Sequence, residues 1–378
     1  MQRMASYDRA MRLLFCFALL GGLLAACVSA ATVPPSTPSP PPFSSSDPLP
    51  TPRPRRLQAG ELELAADIDA IPAIFASPDL FVDARAGSEE WPDEEPVIGV
   101  ELGTEARAYP IRLLSLHEIV NDTIGGEPVA VTWCPLCYSA LVFGRTVAGR
   151  ELTFGVSGYL YRNNLVMYDH QTNTLWSQVL AQGLKGARRG DRLRVYPSLI
   201  TGWGAWKRTH PHTRILSAER MGRRADEIID PYAGYYTAGS AGLLGSDRQD
   251  TRLAAKALVV GVRAGDKARA YLVDSVREAG ILQDRIGALS LILVYDRKLQ
   301  TVLTYRSNIG QRRLTFVAPA GEDTMRDIET GSLWDIRSGR ALQGPLAGQT
   351  LHRLAAPLVF WFAWSDLYPH TELFAPPE

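Results

Sequence analysis

The chain has 378 residues, with 40 basic and 40 acidic side chains and four cysteines. That length allows two or three domains and a sizeable core, and an apolar share of 46% excludes wholesale disorder or a fibrous repeat. A formal net charge of zero argues against a nucleic-acid partner, which needs a basic field to release phosphate counterions. Four cysteines are too few for a disulfide scaffold.

Residues 1–27 read as an export signal. Arg3, Arg9 and Arg12 supply a positive start, and residues 13–26 form an apolar run too short to span a bilayer as a helix. The run ends in Leu24-Ala25-Ala26-Cys27, which looks like a lipobox, so Cys27 is expected to carry lipid. Residues 28–59 are rich in Pro and Ser and predict a semi-extended tether. The expected location is extracytoplasmic, lipid-anchored to the cell membrane, with that membrane as a partner. Cys16 lies in the discarded signal. Only Cys134 and Cys137 remain for the folded part.

A first unit is expected over 60–217. Val97–Val100 and Ala106–Tyr109 are short strands around a turn at Gly103. Pro110 opens a predicted helix, on which Leu113, Leu116, His117 and Val120 share one face by three- and four-residue spacing. Gly125-Gly126 breaks the chain, and Val129–Trp133 is a strand by its β-branched content, entering Cys134-Pro135-Leu136-Cys137. Residues 141–145 and 151–156 predict a β-hairpin. A helix is expected near 204–209. Residues 218–258 form a connection containing Asp230-Pro-Tyr-Ala-Gly-Tyr-Tyr236.

The remainder, 259–376, repeats the first unit. Val97 falls on Val259 and Ala106–Tyr109 on Ala268–Tyr271. Farther on, Thr172, Leu175 and Trp176 meet Thr330, Leu333 and Trp334, and Trp203 and Trp206 meet Trp361 and Trp364. The expected fold is α+β, mainly antiparallel β, with two tandem related units packed as a pseudo-twofold pair. Residues kept in both units serve the shared fold: the paired Trp in the core, Asp169 and Asp327 in Asx-type turns, and His212 and His370 beside a Pro turn. Residues of one unit alone are candidates for chemistry. His117 falls on Ala279, Cys134 on Asp296, Cys137 on Leu299 and His170 on Ile328.

Three readings of the cysteine pair stand open. It is a redox dithiol, although the strand-like Tyr138–Phe143 replaces the helix that stabilises a thioredoxin-type thiolate. It is a metal knuckle in which His117, with His170 as a second candidate, joins Cys134 and Cys137 around Cu or Zn. Or it is a disulfide that staples the loop. The catalytic or metal set is therefore His117, Cys134 and Cys137. Glu118 and Asp122 read as a solvated helix face. In the segment 157–164, Ser157, Tyr161, Asn163 and Asn164 are candidates for binding a polar ligand such as a sugar. A non-catalytic glycan-binding module with a structural disulfide is the alternative function.

The strings His117-Glu-Ile-Val-Asn-Asp122, Val131-Thr-Trp-Cys-Pro-Leu-Cys137, Phe154-Gly-Val-Ser-Gly158, Asn164-Leu-Val-Met-Tyr-Asp169 and Leu175-Trp-Ser-Gln178 resemble a bacterial and archaeal family, domain of unknown function 3179. The resemblance runs over residues 60–376 and implies an exported protein with no established activity. Cys134, Cys137 and His117 match its pattern, whereas His170 stands where the family more usually has Arg.

Overall fold

The computed structural model describes residues 57, 61–243, 250–318 and 323–375. The expected export signal, the expected lipid site at Cys27 and nearly all of the expected tether lie outside the described residues. Among the described residues no helix is long and apolar enough to cross a membrane.

The protein is an α+β fold dominated by antiparallel strands. In its first half, Pro96–Leu102 and Glu105–Pro110 pair around Gly103, whose φ of +63° suits a residue without a Cβ. Ser198–Gly202 and Arg214–Leu216 flank them, and Phe81–Asp83 closes the edge. A second sheet runs Val195–Tyr196, Ser139–Gly144, Glu127–Cys134, Ile119–Ile124, Ile74–Phe75. A third places Phe154–Tyr161 between Leu62–Leu64 and Asn164–Asp169, followed by Leu175–Ser177 and Gln182–Lys185. In the second half the same order of pairings recurs. Leu358–Phe360, Leu258–Ala264, Lys267–Leu272 and Glu372–Leu373 form one sheet, and Ile281–Ile286, Leu289–Asp296 and Thr301–Arg306 another. Phe316–Val317, Thr324–Asp327, Leu333–Asp335 and Ala341–Gln343 form the last.

Two local expectations are corrected. The helix after Pro110 is one turn, Ile111–Leu114, and the apolar spacing that predicted more spans a turn and the next strand. Ile119–Ile124 pairs with Glu127–Cys134 through Gly125-Gly126, both at positive φ, and this hairpin overrides the helical period. The expected 141–145/151–156 hairpin is also different. Ser139–Gly144 stays in the second sheet, the tight turn joins only Thr146–Val147 to Arg150–Glu151, and Phe154–Tyr161 crosses into the third sheet. The helix near 204 is Trp203–Thr209.

The eight tryptophans are buried. Trp176 Nε1 donates to Asp169 Oδ2 at 2.9 Å and Trp334 Nε1 to Asp327 Oδ2 at 2.8 Å. Each carboxylate also accepts the amide of the third residue on, Thr172 or Thr330, at 2.6 Å, which makes the expected Asx turn. Trp206 and Trp364 donate to Thr213 and Thr371 at 2.9 and 2.8 Å. Their rings lie on Gly99 and Gly261, where a Cβ would come within 2.5 and 2.2 Å of ring carbons. The halves share apolar cores: one joins Trp133 and Val142 to Ile292 and Tyr305, another joins Cys134 and Cys137 to Phe360 and Trp361.

Candidate functional site

Strand Glu127–Cys134 ends on the first cysteine, and Ser139, paired with Cys134, starts the return strand. Pro135 fixes the first turn dihedral, and Tyr138 closes the turn at φ +52°. Both cysteines are free thiols, 2% and 0% exposed. Burial pushes the Cys134 thiol up, but hydrogen bonds from the Cys137 thiol and from the amides of Leu165, Cys137 and Leu136 outweigh it and hold Cys134 below the ordinary thiol range. Burial, and then the charge of Cys134, push Cys137 well above it. Cys134 is thus the more acidic thiol of the pair and Cys137 the one that keeps its proton. The Cys137 S–H has a second acceptor in the Asn163 carbonyl, at 3.1 Å.

The turn at the end of strand Leu289–Asp296 in the second half also bonds its side chain to backbone amides. There Asp296, wholly buried, follows its strand as Cys134 does, and its Oδ1 accepts the amides of Lys298 and Leu299 at 2.8 and 3.0 Å. Arg337 lies against it with Nε 2.6 Å from Oδ2, a close ion contact.

Behind the thiols lies a buried polar network. Asn164 Nδ2 donates to Gln178 Oε1 at 3.1 Å and faces Cys137 Sγ at 3.5 Å. Ser139 donates to the same Gln178 oxygen at 2.9 Å, while Gln178 Nε2 donates to Thr132 Oγ1 at 3.0 Å and to the Ser139 carbonyl at 3.1 Å. Gln178 was absent from the expected site, although it sits in the Leu175–Gln178 string.

The four candidates for a polar ligand are buried and engaged internally. Ser157 donates to the Val166 carbonyl and accepts the Tyr159 amide where the register shifts in the pair Phe154–Tyr161/Asn164–Asp169. Tyr161 carries the Arg162 guanidinium 5.6 Å above its ring. Asn163, at φ +60°, offers its carbonyl to Cys137 and its Oδ1 to the Leu243 amide at 3.1 Å. Asn163 and Asn164 therefore belong to the thiol surroundings.

The structure does not bond His117 to the sulfurs. Its Nδ1 meets the Pro72 carbonyl at 2.8 Å, its Nε2 is buried without a hydrogen-bond partner, and burial drives its pKa down. His170 is exposed and bonds Thr153 at 2.9 and 3.1 Å. Among the described residues no three His, Cys, Asp or Glu side chains are grouped to hold a metal ion.

The side chain that interacts electrostatically with Cys134 is that of Glu118. It and Asp122 are buried, correcting the expected solvated helix face, because the chain turns at Glu118 with φ +55° and enters a central strand. Asp122 accepts the Tyr109 hydroxyl at 2.6 Å. Burial, followed by the charge of Cys134, raises the Glu118 carboxyl well above its usual range. Its native pKa therefore exceeds that of the unfolded chain, so between the two values the native state holds the extra proton and stability falls as pH rises. Glu118→Gln should weaken that fall and raise the urea midpoint more at pH 8 than at pH 5. Equal slopes in mutant and wild type would contradict this assignment.

The connecting segment completes the site. Its short helix, Ala233–Thr237, sets the Tyr235 hydroxyl 2.9 Å from the Leu136 carbonyl. Burial pushes the Tyr235 phenol up to about 12, against the Gly242 amide, whose hydrogen bond lowers it. Tyr232 rises for a like reason, burial first and then Glu118 and Cys134. Tyr236 meets Tyr138 edge-on at 5.4 Å. A thiol held below its ordinary range, with a second and more basic thiol three residues on, is suited to attack at sulfur once deprotonated.

No curated protein and no solved structure matches the chain. The model of a family described as a protein of unknown function, DUF3179, matches residues 68–371. With its matched span covering both halves and the whole dithiol site, the chain belongs to the DUF3179 family.

Proposed function

We propose that this protein is a thiol–disulfide exchange protein of the cell envelope, held by lipid at Cys27 and built from a duplicated unit in a pseudo-twofold pair. The first unit carries the chemistry and the second walls the site. The observation that carries the reading is the turn itself: two free thiols three residues apart, both buried, with the Cys137 S–H on the Asn163 carbonyl at 3.1 Å and Cys134 the more acidic of the two. The position in the second half on which Cys134 falls supports it, because there the amides two and three residues on both donate to the Asp296 side chain. Disulfides persist outside the cytoplasm, which is where substrates of such a site are found.

The Cys134 thiolate attacks one sulfur of a partner disulfide. A mixed disulfide forms and the other partner sulfur leaves as a thiolate, which takes a proton from the Glu118 carboxyl. Cys137 then gives up its proton to the second partner sulfur and attacks Cys134. The products are the Cys134–Cys137 disulfide and a partner dithiol, so two electrons and two protons pass to the partner.

Equilibrating the reduced protein with glutathione buffers of increasing oxidation, and counting thiols by mass, tests this. Both thiols should vanish together in one two-electron transition. A pair that remains dithiol in every buffer would overturn the reading. Stoichiometric zinc or copper in anaerobically purified protein, lost in Cys134→Ser, would assign the cysteines to metal instead.

A further inference from the structure

The thiols that would react are closed to solvent, and the cover over them is unlike the other walls. Residues 230–243 join no sheet and contain one five-residue helix. Tyr232, Tyr235 and Tyr236 pack half-buried on the cluster that includes Cys134, Leu136 and Cys137, while Pro231, Ala233, Gly234 and the stretch 237–240 are exposed.

Few anchors hold this cover. The Tyr235 hydroxyl donates to the Leu136 carbonyl inside the cysteine turn and accepts the Gly242 amide, both at 2.9 Å. The Leu243 amide donates to Asn163 Oδ1 at 3.1 Å, on the residue whose carbonyl faces Cys137. Lys256 Nζ donates to the Tyr235 carbonyl, and to that of Ala238 at 3.0 Å, and lies 3.5 Å over the Tyr235 ring. The strands on either side of the turn part only when their ladders break. A segment fastened by side-chain packing and isolated hydrogen bonds, with no ladder, opens below the cost of global unfolding.

We propose that residues 230–243 are a gate over the dithiol and that the Tyr235 hydroxyl is its latch. The gate supplies the access that the thiol-exchange reading requires, and it rests on that reading for its purpose. Tyr235 is a positioning residue: it holds the cysteine turn and the far end of the segment together through one oxygen. Losing that oxygen frees the gate without exposing the core.

Alkylation by iodoacetamide reads the opening directly. In wild-type protein both thiols should react far more slowly than a free cysteine. Tyr235→Phe, which deletes two hydrogen bonds, should speed labelling about tenfold, and Lys256→Met should speed it as well. The acceleration should be uniform across pH and flat in low urea, with the urea midpoint nearly unchanged. Wild-type labelling at the free-cysteine rate would overturn the gate. So would wild-type rates in both variants, or an acceleration rising with urea as steeply as global unfolding. Alkylation needs no exchange chemistry, so a dithiol inert to glutathione yet latched by Tyr235 would retire the proposed function and leave the gate standing.

Discussion

Cys134→Ser should reduce exchange with a disulfide substrate to the buffer background, whereas Cys137→Ser should halt it at a trapped mixed disulfide. The asymmetry follows from the donors. Hydrogen bonding within its turn holds the Cys134 thiol below the ordinary range, whereas burial and the neighbouring sulfur hold the Cys137 proton in place. A serine hydroxyl at 134 keeps the turn but is no nucleophile toward sulfur. At 137 it still donates, so the first step survives and the resolving step does not. Mass spectrometry after brief exposure to oxidised glutathione checks both. An adduct on Cys137 in the Cys134→Ser protein, with none on Cys134 in the reverse variant, would exchange the two roles.

The second large effect lies in the other half. Arg337→Met should cost about 3–5 kcal/mol, because it strands a wholly buried carboxylate at Asp296. Arg337 also reaches Asp323 at 2.6 Å, and Lys298 pairs with that same Asp323, so the exposed end of the network persists without it. Adding Asp296→Asn should restore most of the loss, since the amide keeps an oxygen for Lys298 and Leu299 and carries no charge. Urea denaturation of the single and double variants measures both. A double variant as unstable as Arg337→Met alone would place the cost in lost packing rather than stranded charge.

Much of the fold could be read locally. The strands around Gly103, the strand entering the cysteines and the helix at Trp203–Thr209 carry their own signals: β-branched runs, a turn glycine and aromatic spacing. The helix expected after Pro110 failed because Leu113, Leu116 and Val120 fit a helical period while lying on three different local structures. Hydrophobic spacing registers burial, and burial here comes from sheets on both sides.

The site was half legible for the same reason. Cys134 and Cys137 stand three apart and announce themselves. Glu118 does not, since its burial comes from a left-handed turn that nothing in His117-Glu118-Ile119 requires. Reading His117 as the partner rested on a helix face that the fold does not form. Gln178 and Tyr235 reach the cysteine turn from 39 residues beyond Ser139 and 99 residues beyond Leu136, separations over which periodicity carries no information.

The Phe360 amide donates to the Cys137 carbonyl at 2.9 Å, from a strand near the C-terminus. The cysteine turn is therefore finished by a segment that lies far on in the sequence. A nascent N-terminal half, even fully extruded, would hold its cysteines on an unclosed loop with the apolar face beneath it bare. A gene split between the halves would have to encode two products that find each other before the cysteine turn is complete.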